Sequence, residues 1–220
     1  MLIEKNTVSA ENQIKNSCEV SYLGNPTAKT RILVVGNSIT RHGPNADIDW
    51  EYDWGMAASA IEKDYVHQLF SMLKKDGQDI FMRIRQATHW ERNYRKADVL
   101  ESFQEDRDFQ ADVVVFRLGE NTLKEDKPFF GEALKKFIEF IKSTASKVIF
   151  TTCFWENTIV DEAIETYAKQ IDAVCVDCCF SKDEKNMAIG QFKHDGVSIH
   201  PSDAGMEKIA KAIFKVLKNR

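Results

Sequence analysis

The sequence predicts an α/β fold in which helices cover both faces of a parallel sheet of about five strands. Hydrophobic residues make up 43% and charged residues 29% of the 220 positions, a composition typical of a folded globular domain. Five short apolar runs, rich in β-branched residues, alternate with longer stretches of helical periodicity. Because parallel strands are joined by crossovers that cover the sheet, this alternation predicts a three-layer α/β/α architecture.

The predicted strands are continuous apolar runs, as expected of strands that are buried on both faces. The first occupies residues 32–35 and is bounded by turn residues. Four similar runs follow later in the chain, at residues 80–84, 112–118, 147–152 and 173–176.

The predicted helices fill the gaps between these runs. Residues 56–73 and 129–141 place most of their apolar side chains along one stripe. Residues 91–105 and 160–171 fill two more gaps. The last helix, residues 202–217, begins at the candidate N-cap Ser202.

The domain organisation predicted from the sequence is simple. Residues 1–30 are polar and end in a turn-like segment, so we expect them to form an N-terminal extension. Residues 31–220 contain no repeat, low-complexity tract or linker and are expected to form one α/β domain.

Charge and hydropathy exclude some partners. The net charge of −4 argues against binding to duplex nucleic acid. No apolar run is long enough for a signal peptide or a bilayer-spanning segment, so no membrane partner is expected. We therefore expect a soluble cytoplasmic protein, or an exported one if its signal has been removed. The oligomeric state is not predicted.

The cysteines are odd in number, and most lie in or beside apolar segments, so reduced thiols are expected. They are Cys18, Cys153, Cys175, Cys178 and Cys179. The last three are also possible metal ligands, but no second cysteine pair stands at zinc-ribbon spacing. A metal site is therefore the less favoured interpretation.

Candidate catalytic residues lie after the predicted strands, where ligands bind in open α/β sheets. Ser38 follows the first strand in the sequence Gly-Asn-Ser-Ile-Thr, and Asn121 follows the third strand in Gly-Glu-Asn. Asp195 and His200 precede the last helix in Asp-Gly-Val-Ser-Ile-His-Pro. Taken singly, the serine can also be a helix cap, the asparagine a loop residue, and the histidine a packing or surface residue.

Together the three segments resemble the SGNH hydrolases, the GDSL-like esterase superfamily. Residues 36–40 resemble its GDSIT-like first block, residues 119–121 its G-x-N-D block, and residues 195–201 its final D-x-x-H block. The resemblance covers residue 31 to the C-terminus. It implies a flavodoxin-like α/β/α fold and serine-dependent ester hydrolysis without a metal or organic cofactor.

The resemblance also implies a role for each matching residue. Ser38 would be the nucleophile and His200 the general base and then acid, with Asp195 orienting the imidazole. The oxyanion hole would consist of the Ser38 N–H, the Asn121 amide and one further backbone N–H.

The sequence departs from the family pattern in three places. No glycine lies between Gly77 and Gly119, so we place the further N–H donor at His89. Asp195 and His200 are five positions apart where the family usually has three, which makes Asp203 an alternative orienting residue. Thr122 replaces the aspartate of the G-x-N-D block, and we expect this to alter local hydrogen bonding more than the chemistry.

Tryptophans near the strand ends suggest the kind of ester. Trp54, Trp90 and Trp155 would offer flat faces beside carboxylates, which suits a sugar. The preferred substrate is therefore an O-acetylated carbohydrate, with another small-molecule ester as the broader class. Three alternatives stay open: the tryptophans simply pack the loops, the enzyme is a thioesterase or arylesterase, or the protein binds carbohydrate without turning it over.

Overall fold

The computed structural model describes residues 3–9, 19–144 and 146–218. Its strands are β1 (Val20–Gly24), β2 (Thr30–Gly36), β3 (Ile80–Gln86), β4 (Val113–Arg117), β5 (Lys147–Thr151) and β6 (Val174–Val176). They form one sheet in the order β1-β3-β2-β4-β5-β6. Strands β2 to β6 are parallel, while β1 lies antiparallel to β3 at the edge. The predicted α/β fold with a parallel sheet is thus confirmed.

The sheet has one strand more than the five predicted. Strand β1 comes from the segment predicted to be an N-terminal extension, and it pairs with β3 along its whole length. No sequence pattern indicated this strand, because an edge strand that is largely solvent-accessible carries no continuous apolar run. Residues 1, 2 and 10–18 of that segment, which include Cys18, lie outside the described residues.

Seven helices lie in the described residues, three of them as predicted within a few residues. They are α1 (Tyr65–Lys75), α2 (Thr88–Asn93), α3 (Gln104–Asp108), α4 (Phe130–Ile141), α5 (Thr158–Gln170), α6 (Asp195–Ser198) and α7 (Asp203–Leu217). The predicted N-cap of the last helix is confirmed, since the Ser202 side chain accepts a hydrogen bond from the N–H of Gly205.

Two predicted helices were wrong in extent. The helix predicted at residues 56–73 begins only at Tyr65, because Asp64 caps it by accepting the His67 N–H at 2.7 Å. The helix predicted at residues 91–105 is interrupted: α2 and α3 are separate, and the 3₁₀ turn Val99–Phe103 buries apolar residues between them.

Helices cover both faces of the sheet, and alternate residues of each strand supply the two cores. Val34 of β2 packs with α1 and α7, whereas its neighbour Val35 packs with α2, α4 and α5. Successive side chains of a strand point to opposite faces, so one apolar run serves both layers. No helix among the described residues has the length and apolar composition of a bilayer-spanning segment.

Strand order places a topological switch point beside the end of β2. Gly36, the last residue of β2, is paired with Gln86 of β3 on one side and with Arg117 of β4 on the other. The chain passes from β2 to β3 and then crosses back to β4, so the loops that follow these three strands diverge from one point. A crevice for a ligand is expected there.

Candidate active site

The side chains of Ser38 and His200 meet at this edge of the sheet. The Ser38 Oγ lies 2.8 Å from the His200 Nε2. The turn that presents Ser38 needs glycine at position 36, since a Cβ there would lie 1.7 Å from the Thr40 hydroxyl oxygen. Met56 secures the turn by donating its N–H to the Ser38 carbonyl at 2.8 Å. The predicted pair is therefore brought together in hydrogen-bonding geometry.

The tautomer of His200 follows from its second hydrogen bond. The Nδ1 atom lies 2.7 Å from the carbonyl oxygen of Gly196. A carbonyl can only accept, so Nδ1 carries the proton and the Nε2 lone pair faces the Ser38 hydroxyl. Burial lowers the pKa of His200 to about 3. The ring is consequently neutral near pH 7 and able to accept a proton.

Asp195 was wrongly predicted to orient His200. It begins the short helix α6, and its carboxylate faces solvent with 71% of the side chain exposed, where it forms an ion pair with Lys5. The alternative Asp203 instead accepts hydrogen bonds from the N–H and hydroxyl of Ser59. Because the chain coils helically from residue 195, a carbonyl four positions before the histidine, that of Gly196, reaches the ring instead.

We expect Asp195→Asn to leave hydrolysis almost unchanged. An exposed ion pair contributes at most about 1 kcal/mol, so kcat/KM should change by less than about fivefold. Steady-state kinetics of ester hydrolysis with both proteins measures this. A loss of 100-fold or more, as expected for a true member of a catalytic triad, would show that the carboxylate reaches the ring.

The predicted oxyanion donors are the backbone N–H groups of Ser38 and His89 and the side-chain amide of Asn121. The backbone N–H groups of Ser38 and His89 donate to no residue that the structure describes. Asn121 is held beside the Ser38 turn through Glu91, which accepts the Asn121 side-chain amide at 2.7 Å and the side-chain amide of Asn37 at 3.1 Å. One hydrogen of the Asn121 amide is thus used, and the other has no acceptor among the described residues.

No protein-family model matches the sequence, and no relative is found among curated proteins. Solved structures do resemble it. Axe2, an acetylxylan esterase from Geobacillus stearothermophilus, is 16% identical with a TM-score of 0.56, over 88% of this chain and 96% of that chain. A GDSL-like lipase candidate from Bacteroides ovatus is 14% identical with a TM-score of 0.54, over 87% and 99%.

A third similar structure is a protein of the G-D-S-L family from Desulfitobacterium hafniense. It is 12% identical with a TM-score of 0.53, over 86% of this chain and 99% of that chain. The chain has the SGNH hydrolase fold. The likeness spans nearly the whole of each of these proteins, which agrees with the expectation from the sequence blocks.

The three tryptophans of this SGNH fold differ in location. The Trp155 ring lies edge-on to the His200 ring, with centroids 5.2 Å apart. Trp54 stacks on Tyr52 at 4.3 Å and is partly exposed. Trp90 was wrongly predicted to bind substrate: it is 1% exposed and stacks on Phe137 at 4.7 Å in the core. An aromatic residue after a strand fits either location, which is why the sequence did not separate them.

The structure describes four of the five cysteines. Cys153 and Cys178 are buried, Cys175 and Cys179 are partly buried, and all four are free thiols. Burial raises the pKa of each of these thiols. In the part of the chain that the structure describes, no three His, Cys, Asp or Glu side chains are grouped so as to hold a metal ion.

Sequence reasoning missed three groups that shape the site: the Gly196 carbonyl, Glu91 and Arg117. The first is a backbone atom, which no residue type signals. Glu91 begins the predicted helix at residues 91–105, and nothing in the sequence there indicates a buried carboxylate. Arg117 did carry a signal, because a charged residue at the end of an otherwise apolar strand needs a buried partner, and Glu120 supplies it.

Proposed function

We propose that this protein is a serine-dependent esterase that hydrolyses carboxylic esters through an acyl-enzyme. The observation that carries the proposal is the 2.8 Å contact between Ser38 and the unprotonated nitrogen of His200. A hydroxyl beside a neutral imidazole of fixed tautomer is an activated nucleophile. Structures of Axe2 variants in which a serine and a histidine are replaced by alanine are described as catalytic mutants, which agrees with this pairing.

In the first half of the proposed cycle, the Ser38 Oγ attacks the ester carbonyl carbon while its proton passes to the His200 Nε2. The carbonyl oxygen becomes an oxyanion, held by the N–H groups of Ser38 and His89 and by the Asn121 amide. Donors that are fixed before the reaction stabilise the developing charge with little reorganisation.

In the second half, the tetrahedral intermediate collapses, and the proton on Nε2 passes to the departing alcohol. Water then enters, gives its proton to His200 and attacks the acyl-enzyme. The acid leaves, and the proton returns from Nε2 to Ser38. Bonds and protons balance with these side chains and water alone, so the cycle uses no metal ion or organic cofactor.

The proposed substrate is an O-acetyl group on a carbohydrate. Trp155 stands against the catalytic imidazole, and the stacked pair of Tyr52 and Trp54 lies in the long loop that follows Ser38. Aromatic faces pack on the C–H faces of sugars while the hydroxyls remain free to form hydrogen bonds. The description of the similar Axe2 as an acetylxylan esterase supports the same choice.

A substrate panel tests this function. The intact protein is expected to hydrolyse p-nitrophenyl acetate and, with higher kcat/KM, acetylated xylo-oligosaccharides. An acyl thioester preferred over both would identify the thioesterase alternative. Absence of any hydrolysis, together with binding of an unacetylated oligosaccharide in calorimetry, would favour the silent binding protein and contradict the esterase.

A further inference from the structure

We propose that Glu91 is the positioning residue of the oxyanion hole: its buried carboxylate holds Asn121 so that the free amide hydrogen faces the reacting carbonyl. This proposal rests on the proposed esterase function. It assigns a role to a residue that the block pattern of the sequence does not mark.

The contacts of Glu91 are all with N–H donors. Its Oε1 accepts the backbone N–H of Gly119 at 2.6 Å and the side-chain amide of Asn37 at 3.1 Å. Its Oε2 accepts the side-chain amide of Asn121 at 2.7 Å. The Asn121 backbone N–H approaches Oε1 at a longer 3.4 Å. Glu91 is 0% exposed, so water does not compete for these bonds.

The carboxylate therefore connects the three segments that follow β2, β3 and β4 at the crevice. Glu91 lies on α2 after β3, Asn37 precedes the nucleophile after β2, and Gly119 and Asn121 follow β4. Asn121 is gripped through both its side chain and its backbone, which fixes the direction of the amide. Freezing such a side chain in advance removes an ordering cost from the transition state, which is how preorganised donors act.

The surrounding charges show that Glu91 is not needed to neutralise Arg117. The buried guanidinium of Arg117 pairs with Glu120 and donates to the Asn37 side-chain oxygen at 3.1 Å. Glu120 is also satisfied, because it accepts the Asn37 amide at 2.6 Å and the Phe154 N–H at 2.9 Å. Glu91 is thus a second carboxylate beside one buried cation.

A second buried carboxylate is costly for stability. Burial, and then the charge of Glu120, raise the pKa of Glu91 to about 7. A buried carboxylate loses its hydration, and only the hydrogen bonds that it accepts offset this cost. A carboxylate does offer what a neutral side chain lacks: two oxygens that accept several N–H groups at once without donating. All the groups that contact Glu91 are donors, so this position requires a side chain that only accepts hydrogen bonds, and its acceptors hold Asn121.

Glu91→Gln is the sharpest variant, since it keeps the shape and removes the charge. One oxygen becomes an NH₂ group that must face either Asn121 or the donors Gly119 and Asn37, and two donors cannot bond to each other. We expect the Asn121 amide to turn away, with kcat for p-nitrophenyl acetate falling about 100-fold and KM changing much less.

A double-mutant cycle shows whether Glu91 acts through Asn121. Asn121→Ala alone is expected to lower kcat by about 100-fold to 1000-fold. If Glu91 works by positioning Asn121, adding Glu91→Gln to Asn121→Ala should cost less than about threefold more. Independent, multiplicative losses, or wild-type kcat in Glu91→Gln, would overturn the proposal.

A matched control separates positioning from general stability. Asp106 is another fully buried carboxylate, and it pairs with Arg83 and Arg85 of β3. Asp106→Asn is expected to lower the unfolding temperature and leave kcat unchanged. If Glu91→Gln does not fold, the test uses Glu91→Asp instead. This variant keeps the carboxylate, but its side chain is too short to reach both the Asn37 and the Asn121 loops. The same loss of kcat and the same non-additivity are therefore expected.

The crystal structure of the Glu91 variant keeps this proposal distinct from the esterase proposal. If no variant and not even the intact protein hydrolyses an ester, the esterase function fails. The anchoring of Asn121 is then still decided by its position in the variant crystal. An Asn121 amide that stays in place without the Glu91 carboxylate would refute the positioning role.

Discussion

Replacing Ser38 with alanine is expected to lower kcat for p-nitrophenyl acetate by on the order of 10⁶-fold, to nearly the rate of the uncatalysed reaction plus the contribution of the oxyanion donors. The hydroxyl lies 2.8 Å from the imidazole nitrogen that would take its proton, and alanine leaves nothing to form the acyl-enzyme. Initial rates and active-site titration with a fluorophosphonate, followed by mass spectrometry of the intact protein, measure the effect.

Ser59→Ala is the matched control for the serine. Ser59 is exposed and donates its hydroxyl to Asp203 at 2.6 Å. Its removal should preserve both the rate and the fluorophosphonate adduct. Because Ser38 is only partly buried, the unfolding temperature of Ser38→Ala should stay close to that of the intact protein. Undiminished hydrolysis by Ser38→Ala would refute the acyl-enzyme mechanism.

Replacing His200 with alanine is expected to lower kcat by a similar factor, on the order of 10⁶-fold. The imidazole serves both halves of the cycle, so neither formation nor hydrolysis of the acyl-enzyme is assisted without it. Rapid-mixing kinetics should therefore show no burst of p-nitrophenol with His200→Ala. A burst followed by slow turnover would show that the histidine acts in deacylation only.

His67→Ala provides the control for the histidine. His67 lies on α1 and contacts the capping residue Asp64 through its Nδ1 at 2.8 Å. Its loss should reduce the stability of the fold by about 1 kcal/mol without changing kcat. An equal loss of activity in both histidine variants would indicate that damage to the fold, and not the chemistry, explains the result for His200.

The sequence predicted the fold because strand ends and apolar runs are local signals, whereas the meeting of Ser38 with His200 was expected from the resemblance to the SGNH blocks. Once the strands of a parallel sheet are known, the residues after them share one edge. Asn121 was placed near the nucleophile by the same reasoning. Strand β1 was not predicted, because edge strands lack the pattern of buried residues on which the prediction relied.

The remainder of the site depends on side-chain directions that the sequence does not specify. Asp195 and Gly196 are adjacent, and only the helical coiling of α6 decides that a backbone oxygen reaches His200 while the carboxylate faces Lys5. Likewise, Trp90 and Glu91 are neighbours in a short helix, yet one packs in the core and the other binds the crevice loops. Rotating a short helix by one residue would exchange which of two neighbouring residues faces the core and which faces the crevice.

The Gly196 carbonyl has a consequence for how this protein tolerates change. A main-chain oxygen is present whatever amino acid is encoded there, so no point substitution deletes it. Drift at position 195 is accordingly neutral for the imidazole, whereas an insertion or deletion in the α6 turn is not.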